Sequence, residues 1–238
     1  MLRYDGQGQE ECNNQPTLNS GTGDIPNNFY MPNWCSNFLV VSGGTQENLR
    51  LIAEKFSDPS NGGVFESLIG RNPNFDEKDW YNHNCATYGT KWDIYGDKHV
   101  LNQTDDLGGF SVSFDTAWGP ATPFALELSR MYGVDVRLEY EECGNDFAGW
   151  MTASNGELGE DVQMDYHEGK YAMDSDAYME CEAEHLIEWA INDGLTEAEF
   201  IENHLHFMSE EDRESILQDF RQFLGASYRW KDVPCPSP

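Results

Sequence analysis

Basic residues are scarce in this sequence, with 14 Lys and Arg against 43 Asp and Glu among 238 residues and a formal charge of −29. A chain so poor in cations lacks the charge with which proteins hold phosphate backbones or anionic lipid, so neither direct nucleic-acid binding nor membrane attachment is expected. No apolar run approaches the length of a membrane span, and the N-terminus has no basic-then-apolar leader, which points to the cytoplasm. Cys12, Cys35, Cys85, Cys143, Cys181 and Cys235 are scattered without a CxxC pair. That spacing excludes a zinc ribbon and a disulfide scaffold and leaves buried or unreactive thiols. A hydrolase elbow, a phosphate loop and a dinucleotide fingerprint are also missing, so no catalytic set and no cofactor are expected. Metal ligation fares no better. His204 and His206 stand at i, i+2 and share no helix face, Asp165, His167 and Glu168 fall in an expected turn, and Asp174-Ser175-Asp176 opens like a calcium loop without its glycine and terminal Glu.

What is present is a clear fold pattern. Residues 109–149 read as strand, helix, strand. Apolar residues alternate at 110–114 and again at 134–141, the period of half-buried strands. Between them Thr122 is placed to cap and Pro123 to enter a first helical turn. Phe124, Leu128, Met131 and Tyr132 then recur at helical spacing until Gly133 ends the run.

Upstream, residues 1–30 are rich in Asn, Gln, Gly and Pro without aliphatic periodicity and read as a disordered arm. A strand signal at 36–41 leads through Gly43-Gly44 to a helix capped by Thr45, with Leu49, Ile52, Ala53 and Phe56 on one face. Phe65, Leu68 and Ile69 suggest a short helix, and Trp80, Tyr81 and Tyr88 a loop with aromatic anchors. Residues 92–95 resume alternation and can pair with 110–114. The resulting order β-α-β-β-α-β predicts an α+β, ferredoxin-like four-stranded antiparallel sheet with two helices on one face. Beyond it, Asn155-Gly156 between strand-like runs predicts an extra β-hairpin over 150–166. Three short helices then form a C-terminal helical appendage. Leu186, Ile187 and Ala190 line the first, Phe200, Ile201 and Leu205 the second behind a Thr196–Glu199 capping box, and Ile216, Leu217, Phe220 and Phe223 the third. The expected division is arm 1–30, ferredoxin-like domain with hairpin 31–170, and acidic appendage 171–238.

With these residues in view, 31–149 resembles the YubB-like ferredoxin-like family, domains of unknown function carried mainly by plasmids and bacteriophages. Four separated motifs carry the resemblance. They are Met31-Pro32-Asn33-Trp34-Cys35-Ser36-Asn37; Tyr88-Gly89-Thr90-Lys91-Trp92-Asp93; Phe114-Asp115-Thr116-Ala117-Trp118 with Pro120 and Pro123; and Tyr140-Glu141-Glu142 followed by Gly144, Phe147 and Gly149. The resemblance implies the fold already derived and brings no reaction with it. The N-terminal arm and the acidic helical C-terminus depart from it.

Two functional readings follow. Between Glu141 and Glu202 stand eighteen acidic residues and one basic residue, Lys170. On the first reading this is a non-enzymatic interaction protein of a phage or mobile element, acting in the host cytoplasm. It grips a basic surface of a host protein, as a nucleic-acid mimic in an anti-defence or takeover role, through Glu180, Glu184 and Glu188 on one helix face with Glu141 and Glu142. Helical spacing sets Glu182 off that face. The alternative is a small-ligand or nucleotide-binding protein with a pocket near Lys91, Trp92, Asp93, Asp115, Trp118, Glu141 and Asp146. For the tryptophans Trp34, Trp92 and Trp118 the competing structural reading is that they anchor loops against the sheet. For the acids it is turn hydrogen bonds or salt links. An acidic surface that serves only solubility competes with the first reading.

Overall fold

The computed structural model describes residues 33–58, 63–71, 76–94, 99–103 and 108–231, so the expected arm at 1–30 lies outside the described residues. Alternating apolar residues build one antiparallel sheet of six strands in the order β2-β3-β1-β4-β5-β6. The strands are β1 (Trp34–Ser42), β2 (His99–Gln103), β3 (Gly109–Ala117), β4 (Asp135–Glu142), β5 (Phe147–Ser154) and β6 (Glu157–Met164). The first four, β2-β3-β1-β4, follow the ferredoxin-like order, and β5-β6 is the expected hairpin added to the β4 edge. Asn155 and Gly156 both have positive φ, 51° and 81°, as a tight two-residue hairpin turn requires.

One face of the sheet is covered by α1 (Gln46–Ser57) and α4 (Thr122–Tyr132). Leu39, Val41, Val112 and Leu138 from the strands meet Ile52, Phe56, Phe124 and Leu128 from the helices, all fully buried. Two helices inserted after α1, α2 (Val64–Ile69) and α3 (Trp80–Tyr88), close the end of this core. Phe65 of α2 stacks on Phe124 with ring centroids 4.1 Å apart and meets Phe114 edge-on. At the end of α3, Gly89 adopts φ 84°, and any Cβ there would collide with the carbonyl of Pro120 and the ring of Pro123.

Several expectations are corrected. Among the described residues the strand that pairs with β3 on this side is His99–Gln103, and Trp92 to Ile94 are not in it, because Asp93 turns inward to bind the N-terminus of α2; the last residue of the expected strand 92–95 lies outside the described residues. Residues 80–88 are a helix rather than a loop; only Tyr88 is buried, so no apolar stripe announced it. Thr122 is the first residue of α4 and not its cap, and Met131 faces solvent. Asp165, His167 and Glu168 belong not to a turn but to α5 (Tyr166–Met173) and its N-cap.

The C-terminal segment contains α5, α6 (Ser175–Asn192), α7 (Glu197–Phe200) with a π-helical turn at Ile201–Leu205, and α8 (Glu210–Lys231). Asp174 caps α6 by accepting from the Ala177 N–H, and the Thr196–Glu199 capping box forms as expected. These helices share a second core of Tyr178, Leu186, Phe200, Leu205, Ile216 and Phe220. Phe223 lies outside it, 47% exposed, contrary to the inward position expected. The appendage is seated on the sheet through α5. Gly169 has no room for a side chain, since a Cβ would stand 2.7 Å from the Ala148 carbonyl oxygen of β5. Residue 170, the expected domain boundary, is thus inside this packed helix.

Candidate functional site

The motif residues first explain themselves structurally. Asn37, buried in β1, donates through Nδ2 to the Cys35 carbonyl and to Thr116 Oγ1, both at 2.8 Å, while its Oδ1 accepts from the Ala121 N–H at 3.1 Å. The Thr116 hydroxyl donates in turn to the Gly119 carbonyl at 2.7 Å, and Thr90 exchanges two bonds of 3.0 Å with Ala117. One polar network therefore ties the start of β1, the end of β3, the loop after α3 and the entry to α4. Cys35 is buried beside it, and burial pushes its thiol up to about 12, which keeps it unreactive at neutral pH. Cys143 and Cys181, by contrast, are exposed.

The residues grouped as a ligand pocket separate into three places. Trp92, Asp93 and Asp115 line a small cavity of about 190 Å³ with Trp34, whose ring lies 6.4 Å from that of Trp92. Lys91 sits over the Trp92 ring at 4.4 Å. Asp93 is occupied: its carboxylate accepts from the N–H groups of Phe65, Glu66 and Ile94, and burial, outweighing those bonds, raises its pKa. Trp34, Trp92 and Trp118 are 42%, 37% and 41% exposed, so each is partly covered and partly open to solvent. Trp118 is not among the residues lining the cavity. It holds a φ of 74°, a conformation that costs a bulky residue about 1–3 kcal/mol. Glu141 and Asp146 lie elsewhere, in the two clefts described next.

The larger cleft, about 370 Å³, runs between the sheet face opposite α1 and α4 and the α5–α6 pair. Register builds its floor. Ser36 of β1 is flanked by Asp115 of β3 and Glu141 of β4, and in the next row Phe38 lies between Ser113 and Glu139. Phe38, 38% exposed, is the apolar centre of this floor. The opposite wall comes from Lys170, Met173, Ala177, Cys181 and Glu182. Five carboxylates line the groove, those of Asp115, Glu139, Glu141, Asp174 and Glu182, against the single cation Lys170. That cation is taken, with Lys170 Nζ 2.7 Å from Glu141 Oε2. Partial burial pulls the Lys170 pKa down, but the Glu141 bond and charge, with Tyr166 and Glu182 adding, outweigh it and leave it raised.

Of the partner-binding residues named from sequence, Glu180, Glu184 and Glu188 stand exposed on α6. Glu142 does not. It is buried at the end of β4, and its two oxygens accept from the Gly144 and Asn145 N–H groups at 2.7 Å, so it holds the β4–β5 turn and is closed to a partner. The helical spacing that set Glu182 off the outer stripe places it in the groove. The periodicity separates these two faces but does not reveal that the second meets the sheet.

The third place is a cleft of about 290 Å³ where His167, His204 and His206 gather with Asp146, Asp165 and Glu168 beside Trp189. Among the described residues no group of three or more His, Cys, Asp or Glu is placed to hold a metal ion. His167 is oriented by the buried Tyr178 hydroxyl at 2.9 Å, and burial raises the Tyr178 pKa, so the phenol stays protonated. Desolvation, with His167 and His206 adding against Asp193, lowers the pKa of His204. The folded state therefore binds this proton less readily than the unfolded chain. The stability linked to it is present above the unfolded value near ~6.5 and is lost as pH falls through that value toward the lower folded one. The melting temperature should accordingly drop between neutral and mildly acidic pH in the wild type and drop less in His204→Gln. Parallel profiles in scanning fluorimetry would contradict this assignment.

Among the described residues no helix is long and apolar enough to cross a membrane. No curated protein matches the chain. The crystal structure of a protein api92 from Yersinia pseudotuberculosis is a distant structural neighbour, at a TM-score of 0.36 and 10% identity over 57% of this chain and 98% of that one. Residues 87–183 match the family model described as the ferredoxin-like domain in Api92-like protein. The match begins at the end of α3, so the motif around Trp34 is outside it, and it runs on through the β5–β6 hairpin and α5 into α6. Over that stretch, which contains most of the groove's walls, the chain is similar to a ferredoxin-like family, that of the Api92-like proteins.

Proposed function

We propose that this is an acidic interaction protein that binds a basic surface of another protein through the face formed by α6 and the adjoining groove. The observation that carries the reading is the composition of α6. Asp176, Glu180, Glu182, Glu184 and Glu188 occur in this helix with no Lys or Arg. Glu180, Glu184 and Glu188 stack at i, i+4 spacing, and among the described residues none of them makes an ion pair. Like charges so placed destabilise a helix by about 0.2–0.5 kcal/mol per pair. A surface needed only for solubility has no use for that stacking, whereas a surface that meets cations does. The resemblance of the motif segments to YubB-like domains of plasmids and phages supports placing the partner in a host cell. A dense carboxylate stripe competes for a nucleic-acid-binding groove by charge, which supports the mimic form of the reading.

The test is capture of a partner from host lysate at low salt, release by raised salt, and comparison with the triple variant Glu180→Gln, Glu184→Gln, Glu188→Gln. The variant should lose about tenfold in affinity, ~1.4 kcal/mol, while its melting temperature holds or rises slightly as the repulsion is relieved. Unchanged affinity in a folded triple variant would contradict the proposal.

A further inference from the structure

We infer that the groove between the sheet and the α5–α6 pair receives arginine or lysine side chains of the partner, so that it, and not the outer stripe alone, decides which basic segments bind. This rests on the reading of α6 above and adds a site to it. An arginine or lysine side chain is an apolar stem with a cationic head, and the groove offers the complement of both. Phe38, Met173 and Ala177 provide the apolar surface for stems, with Phe38 half-exposed at the centre of a sheet face that α1 and α4 do not cover.

The heads meet carboxylates on two sides. Asp115 and Glu141 flank Ser36 across neighbouring strands, and Glu182 faces them from α6. Ser36 Oγ donates to Asp115 Oδ1 at 2.9 Å, which fixes that carboxylate and leaves its other oxygen for a donor. Lys170, already paired with Glu141, models the interaction within the protein itself, since a lysine ammonium is held here at 2.7 Å and its pKa is raised. With Glu141 paired to Lys170 and Glu139 to Arg137 at 2.7 Å, the carboxylates of Asp115, Asp174 and Glu182 carry no ion pair among the described residues and meet an incoming chain, Asp174 while also capping α6. The groove is continuous with the stripe through α6, whose Cys181 and Glu182 line it while Glu180 and Glu184 point outward.

The probe is N-acetylated tetra-arginine amide, with tetra-citrulline, which has the same shape and no charge, as its control. Exposed Cys181 lines the groove and exposed Cys143 does not, so both are followed by alkylation and peptide mass spectrometry on the full chain. Tetra-arginine should slow alkylation of Cys181 severalfold at low salt and leave Cys143 unchanged, and tetra-citrulline should protect neither. Glu182→Gln should weaken tetra-arginine binding by about fivefold, and Lys170→Gln, which removes the one cation, should strengthen it. Opposite signs from two substitutions on the same wall are not a consequence of general destabilisation. Equal reactivity of Cys181 with and without the peptide, or binding lost in the triple stripe variant but untouched by Glu182→Gln, would overturn the groove while leaving the stripe reading intact. Protection of Cys181 by spermidine and not by tetra-arginine would assign the groove to a small polyamine and also overturn it. Absence of any salt-dependent binding by either face would remove the α6 reading as well.

Discussion

Replacing Phe220 with Ala is expected to remove about 3–5 kcal/mol of stability, the cost of emptying a fully buried phenylalanine site. Phe220 has no solvent exposure and its ring lies 4.9 Å from that of Phe200, in the middle of the core that α6, α7 and α8 share. Phe223, three residues on and 47% exposed, supplies the control, and Phe223→Ala should cost well under about 1 kcal/mol. The two apolar clusters of the protein have no buried residue in common, so the loss should be local. In hydrogen exchange, amides of the C-terminal helices should lose protection in Phe220→Ala while those of β1, β3 and β4 keep theirs. Equal costs for the two substitutions would mean that α8 does not pack as described.

Replacing Asn37 with Ala is expected to cost about 2–4 kcal/mol, a large effect for the loss of one polar side chain. The reason lies in what it leaves behind. The N–H of Ala121, at a site with no solvent exposure, loses its acceptor, and the Cys35 carbonyl and the Thr116 hydroxyl lose a donor. Each buried group left without a partner costs about 1–3 kcal/mol. Ser36 next to it points to the opposite face of the sheet, and Ser36→Ala should change stability by less than about 0.5 kcal/mol. Denaturant unfolding of the two variants separates these outcomes, and similar values would show that the network linking β1, β3 and α4 is dispensable.

The elements readable from sequence were those whose burial is periodic. β1, β3 and β4 alternate between a helix-covered and an open face, and α1 and α4 bury one stripe, so pattern and structure coincide there. The failures have equally physical causes. Trp92 to Tyr95 alternates as a strand does, but Asp93 is a capping carboxylate for a helix almost thirty residues earlier, a long-range bond that no local pattern encodes. α3 buries only Tyr88 and so has no stripe, and α5 contains Gly169, which reads as a breaker although it is there to let the helix backbone approach β5. The groove was hidden for a related reason. Its residues come from β1, β3, β4, α5 and α6, and only the seating of α5 on the sheet brings Glu182 opposite Asp115 and Glu141. The same event explains why Glu142, adjacent to a groove residue, is unavailable. A strand sends neighbours to opposite faces, and its face is the buried one.

That the acidic face of α6 and its groove are a binding surface for cations is tested most directly by the salt dependence of affinity. Exposed charges are screened beyond about 8–10 Å at physiological ionic strength, so an interaction carried by these carboxylates must weaken as salt rises, its association rate first. The measurement is the affinity of the captured partner for the wild-type chain and for the Glu180→Gln, Glu184→Gln, Glu188→Gln variant across a salt series. The wild type should show a steep decline and the variant a shallower one, with the two converging at high salt. Affinities that are equal at every salt concentration, or that do not change with salt in either protein, would contradict it.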